Sequence, residues 1–183
     1  MKKKKVVIIV IFILLILAIC SVIFFVKQNN TEKHIYYKDG TIRGFKHWEN
    51  TRVIFPILNE IYGEMPYEDE KGNIYEYISN FDGIETCDAT IRYELYDEDS
   101  LDKVYIYLKS TKYTCDELYE IMYNKMCKMY GDPIVKTDKY NNPTDDIHWT
   151  TDMSHIYIDR YKYSEDYQIK ISFLLNTNTK KKS

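Results

Sequence analysis

Thr114-Cys115-Asp116-Glu117-Leu118-Tyr119-Glu120-Ile121-Met122-Tyr123-Asn124-Lys125-Met126-Cys127-Lys128-Met129-Tyr130-Gly131-Asp132-Pro133 reads as one complete helix with both ends marked. The Thr114 hydroxyl has capping-box spacing to Glu117, so each can satisfy an amide that the first turn leaves open. Leu118, Met122, Met126 and Met129 recur at helical spacing and form an apolar stripe. Gly131 supplies the stop and Pro133 prevents continuation. The spacing predicts a helix from about Cys115 to Tyr130.

Upstream, Val53, Ile54, Ile57, Leu58 and Ile61 fit a second stripe, predicting a helix near Thr51 to Tyr62. Pro56 removes an amide donor, so this helix is expected to start late or bend. Ile61-Tyr62-Gly63-Glu64 ends it much as Met129-Tyr130-Gly131-Asp132 ends the other. Strand patterns follow each helix. Ala89, Ile91, Tyr93 and Leu95 alternate with Thr90, Arg92 and Glu94; Val104, Ile106 and Leu108 alternate with Tyr105 and Tyr107. Asp97-Glu98-Asp99-Ser100 reads as the hairpin turn between them. Later, Ile156 and Ile158 alternate with His155, Tyr157 and Asp159, and Ile169, Ile171 and Phe173 with Gln168, Lys170 and Ser172. Residues 74–79 and 147–151 read as shorter strands. The order is helix, three strands, helix, three strands, a tandem repeat of an α-β-β-β unit. One unit cannot bury both its faces, so the two are expected to share a sheet. The expected fold class is α+β: an N-terminal transmembrane helix, then an antiparallel sheet with two helices on one face.

Ile42-Arg43-Gly44-Phe45-Lys46-His47-Trp48 followed by Thr51 and a short helix is similar to the opening of small membrane-anchored bacterial lipoproteins of unknown role. Tyr119, Tyr130-Gly131-Asp132-Pro133 and Trp149 also resemble that group. The repeated helix-plus-sheet plan resembles the beta-lactamase-inhibitor-protein and small outer-membrane-assembly lipoprotein folds over residues 42–175. The resemblance implies a binding or inhibitory domain rather than chemistry.

At the N-terminus, Lys2 to Lys5 precede Val6 to Val26, an uncharged run about 31 Å long as a helix. The run predicts a signal anchor in the cell membrane, in contact with lipid through residues 6–26. The lysines predict a cytoplasmic N-terminus and an extracytoplasmic C-terminal domain. A lipoprotein anchored at Cys20 is the alternative, although Ile19 departs from a lipobox. The expected organisation is a basic tail at 1–5, the span at 6–26, a linker at 27–41, the α+β domain at 42–175 and a polar tail at 176–183. The formal net charge is −3, but residues 28–179 hold 17 basic against 28 acidic groups, a net of −11. Such a surface repels phosphate backbones, so no nucleic-acid partner is expected. A cationic protein or peptide is the expected partner.

No P-loop, GxSxG, HExxH or dinucleotide fingerprint occurs. Cys87 with Cys115 is compatible with a disulfide; Cys115 and Cys127 lie too far apart along one helix. His148 and His155 can meet across a hairpin but lack further metal ligands. Asp97, Glu98, Asp99 and Asp102 lack the glycine and glutamate of an EF-hand loop. No cofactor, no metal and no catalysis are expected. What remains is a face. If Val104, Ile106, Ile156 and Ile158 point at the helices, then Tyr105, Tyr107, His155, Tyr157 and Tyr161 point away. Tyrosine, with 19 copies, fits either a compositional bias or an aromatic contact surface. The expected function is a membrane-anchored, extracytoplasmic, non-catalytic binding domain. The alternatives are an assembly subunit acting through its transmembrane helix and, behind it, an envelope hydrolase.

Overall fold

The computed structural model describes residues 35–63, 66–96, 99–137, 140, 143–161 and 165–176, with side chains withheld at 143–145. All belong to one compact unit that begins at Ile35. Two helices, α1 (Thr51–Tyr62) and α2 (Cys115–Tyr130), accompany eight strands: β1 (Tyr67–Glu68), β2 (Ile74–Ile78), β3 (Cys87–Tyr96), β4 (Ser100–Ser110), β5 (Ile134–Thr137), β6 (Pro143–Thr150), β7 (Ser154–Arg160) and β8 (Ile169–Leu175). The strands form one antiparallel sheet in the order β1-β2-β3-β4-β8-β7-β6-β5.

This corrects the expected fold class. The molecule is dominated by an eight-stranded antiparallel sheet, and each helix precedes four strands rather than three. The added strands, β1 and β5, are the two edges. β1 has two residues, and all four residues of β5 are exposed, so neither carries a buried-exposed alternation. The expected transmembrane helix, with the single-pass membrane assignment built on it, is corrected as well. No helix among the described residues is long and apolar enough to cross a membrane. α1 and α2 have 12 and 16 residues, and a span needs about 20 predominantly apolar ones. The segment 6–26 itself, with Cys20, lies outside the described residues.

Both helices are capped as their sequences require. The Asn50 side chain accepts from the Arg52 amide, and Gly63, at φ 74°, returns its N–H to the Asn59 carbonyl. α1 therefore starts ahead of Pro56 rather than late. The reason lies outside the helix. The Trp48 amide donates to the Leu101 carbonyl, the Leu101 amide to Glu49, and the Thr51 amide to Asp99, so the chain is zipped to the start of β4 before it coils. On α2 both bonds of the capping box are formed.

Ile54 and Leu58 of α1, Leu118, Met122 and Met126 of α2, and the inward half of every long strand join a single core. Matched rows run across it: Ile91, Ile106, Ile171 and Ile158 are register neighbours, as are Tyr93, Val104, Phe173, Ile156 and Trp149. The Ile42-to-Trp48 segment supplies this core too. Ile42 and Phe45 are buried, and Arg43 reaches Glu76 on β2. Glu76 is on the inward face, and its buried carboxylate accepts from Arg43, from the Tyr62 hydroxyl and, at 2.6 Å, from Tyr93. A charge out of water needs this degree of satisfaction. Burial alone would lower the Arg43 guanidinium, but Glu76 outweighs it and holds it above its ordinary value. Gly40 marks a close approach: a Cβ there would stand 2.1 Å from Thr151 Oγ1.

Candidate functional site

The strand period sends alternate side chains to the face away from the core. On β4 the buried residues are Leu101, Val104, Ile106, Leu108 and Ser110, with Tyr105 and Tyr107 alternating between Val104, Ile106 and Leu108. On β7 Ser154, Ile156 and Ile158 are buried, with His155 and Tyr157 between them. Four of the five sequence-predicted residues thus occupy the open face. Tyr161, just past β7, is 38% exposed and borders it through Lys170, whose ammonium lies 5.6 Å from its ring centre.

The register shows how these side chains meet. One row crosses the whole sheet. In the first half it reads Tyr67, Tyr75, Arg92 and Tyr105. In the second half it continues through Ser172, Tyr157, His148 and Ile134. Within it Tyr67 and Tyr75 are 5.6 Å apart, the Arg92 guanidinium lies 5.1 Å from the Tyr105 ring centre, and His148 stacks on Tyr157 at 5.2 Å. The next row places Tyr107 beside Lys170 and Lys170 beside Asp159. Tyr107 contacts Tyr105 at 6.2 Å and Tyr167 at 4.9 Å. His155 sits a diagonal step from His148, 6.4 Å between ring centres, and its Nδ1 lies 3.1 Å from the Thr150 hydroxyl.

Ser172 is the short residue in this row. With large side chains on the neighbouring strands, it leaves an open depression of about 510 Å³ over β8. The depression is lined by Tyr105, Asp146, Ile147, Tyr157, Asp159, Lys170, Ser172 and Leu174. Sequence reasoning named Tyr105 and Tyr157 but not Lys170, Ser172, Asp159 or Arg92 as site residues. The signal was present, since each alternates with core residues along its own strand and so points away from the core. What the sequence did not give was the pairing of β4 with β8, which brings the two groups together.

Charges on the face are arranged in pairs. Arg92 bonds Glu94, Lys103 lies 3.3 Å from Glu94 and 3.2 Å from Asp102, and Lys170 lies 3.5 Å from Asp159. Burial pulls the Lys170 ammonium down, but Tyr161 and Asp159 outweigh it and hold it above its usual value. Burial likewise works against Arg92, and its bond to Glu94 reverses the sign. The Tyr107 phenol is pushed up by burial despite Arg92 and Lys170 nearby. At physiological pH, the cations stay charged and this phenol stays protonated, a hydrogen-bond donor. Among the described residues, no group of three or more His, Cys, Asp or Glu is placed to hold a metal ion. Cys87, Cys115 and Cys127 are free thiols. Of the acidic cluster, Asp97 and Glu98 lie outside the described residues, while Asp102 approaches the buried His47 at 3.3 Å.

Comparison of the chain with protein-family models, with curated proteins and with solved structures finds no match in any of the three.

Proposed function

We propose that the chain is a non-catalytic binding module that holds a protein or peptide partner on the open face of its sheet. The observation that supports this is the row Tyr105-Ser172-Tyr157, where two aromatic side chains flank a depression. The helices pack on the other face, and Tyr105, Tyr107 and Tyr157 keep part of their surface in solvent. Tyrosine suits contact because it offers a large apolar ring and a polar tip at the cost of few rotors. The groups around it are phenols and paired charges, which recognise shape and charge in a partner.

The test is affinity capture with the full chain, partners being identified by mass spectrometry. Tyr105→Ala and Tyr157→Ala are expected to keep the wild-type melting profile and to lose the partner that wild type retains. Glu60→Gln, on the exposed side of α1, is expected to keep it. Undiminished capture by the Tyr105→Ala/Tyr157→Ala double variant would overturn the reading.

A further inference from the structure

We infer that the open face takes an uncharged, proline-rich segment of the partner, held as a polyproline II helix laid across the strands. This rests on the binding-module reading and names the chemistry of its partner.

The argument begins with spacing. Ser172 on β8 separates Tyr105 on β4 from Tyr157 on β7. One row along, Thr90 on β3 separates Tyr77 on β2 from Tyr107 on β4 in the same way. Each pair of tyrosines thus straddles one short outward side chain. Paired strands lie about 4.8 Å apart, so two strand steps put the aromatic ridges about 9.6 Å apart. Tyr105 and Tyr107, 6.2 Å between ring centres, join the two troughs. Tyr77 is 64% exposed, at the open end of the series.

That spacing selects a backbone. A polyproline II helix has three residues per turn at about 3.1 Å each, so it repeats every ~9.3 Å. An extended strand returns a side chain to the same face every ~6.8 Å. An α-helix repeats every ~5.4 Å and overshoots at its second turn. Of the three, the polyproline II repeat comes nearest to placing one ring in each trough.

Charge excludes the ionic alternatives. The charges lining the depression are already matched: Lys136 stands 2.5 Å from Asp146, and Lys170 stands 3.5 Å from Asp159. Beside Tyr105, Arg92 is bonded to Glu94. A charged segment would have to break one of these pairs, whereas an uncharged one complements the face and leaves them all in place. Proline carries no charge and no N–H, and its ring packs against aromatic side chains. The polyproline II backbone makes no internal hydrogen bonds, so its carbonyls are free to accept from phenol hydroxyls. The segment is extended before it binds, so it loses little order on docking.

The experiment titrates the full chain into a dye-labelled, end-capped peptide of nine prolines and reads fluorescence anisotropy. A nine-residue peptide of alternating glycine and serine is the uncharged, flexible control, and a four-proline peptide is too short to reach both troughs. Saturable binding of the nine-proline peptide is expected, with both other peptides weaker by about tenfold or more. Tyr77→Ala and Tyr107→Ala should each weaken it several-fold with melting profiles unchanged. Thr90→Trp fills one trough while leaving every tyrosine in place, and it carries the test should an alanine variant unfold. Absence of saturable binding, equal affinity for the proline and glycine-serine peptides, or wild-type affinity in all three variants would overturn the assignment. A chain that ignores the proline peptide but still loses its captured partner on Tyr105→Ala and Tyr157→Ala remains a binding module with a different partner.

Discussion

Asp69 shows how much one half-buried side chain can organise. Its carboxylate accepts from the Lys71 and Asn73 amides, the Asn73 side chain and the Tyr75 hydroxyl, all at 2.9–3.0 Å. These bonds close the β1–β2 turn and set Tyr67 against Tyr75 at the end of the open-face row. The Asn73 side-chain bond is the largest reason that the Asp69 carboxyl is held down at about 2. Tyr75, through burial and then its bond to Asp69, is pushed up to about 12. An aspartate in an unfolded chain titrates near ~3.9. Its folded value is lower, so its contribution is complete above about 4 and is lost as pH falls toward about 2. The Tyr75 contribution has the opposite sign: complete below its unfolded value near ~10, lost as pH rises through about 12. Asp69→Ala should therefore melt a few degrees below wild type at neutral pH, and the gap should close as the buffer is taken through the acid range. Melting curves by circular dichroism over a pH series check this, and a gap that stays constant would refute it.

Capping chemistry sets the ends of the elements, and the ends set what the strands present. Thr114 and Glu117 exchange bonds at the start of α2, 2.9 Å from the Thr114 amide to Glu117 and 3.3 Å from the Glu117 amide to Thr114. At the far end the Gly131 carbonyl accepts from the Trp149 indole at 2.9 Å, tying α2 to β6. Thr114→Ala should cost about 1 kcal/mol, the usual value of an N-cap hydroxyl, read as a lower urea midpoint with an unchanged slope. An unchanged midpoint would mean that packing alone fixes this helix. Both helices were legible in the sequence because caps and stripes are local signals. So were the faces of β3, β4, β7 and β8, because parity is local too. β1 and β5 were not legible. They are short edge strands whose residues meet no core, so burial never imposed a pattern on them. The candidate site was half legible for the same reason. Tyr105 and Tyr157 stood out by residue type and parity, but Ser172 between them mattered only once β8 was known to lie beside β4.

The sheet order β1-β2-β3-β4-β8-β7-β6-β5 joins two four-strand meanders along a single seam, β4 against β8. The last strand of each meander meets its counterpart antiparallel, and Ile106 faces Ile171 within the paired stretch. Both are fully buried. Neither meander can fold alone with a dry face, because each would expose its seam strand as an edge on a half-built core. The open-face row crosses the same seam, so the depression exists only when both halves are folded. One cooperative unfolding step is therefore expected, with no state in which one meander survives the other. Ile106→Ala tests this. Truncating a buried isoleucine costs about 2–5 kcal/mol, and the cost should fall on both halves. Hydrogen exchange followed by mass spectrometry should show β3 and β7 losing protection to the same extent, although the substitution lies in only one meander. Loss confined to residues 66–110, with β6 to β8 still protected, would mean that the second meander stands by itself and the seam is a contact between two independent domains.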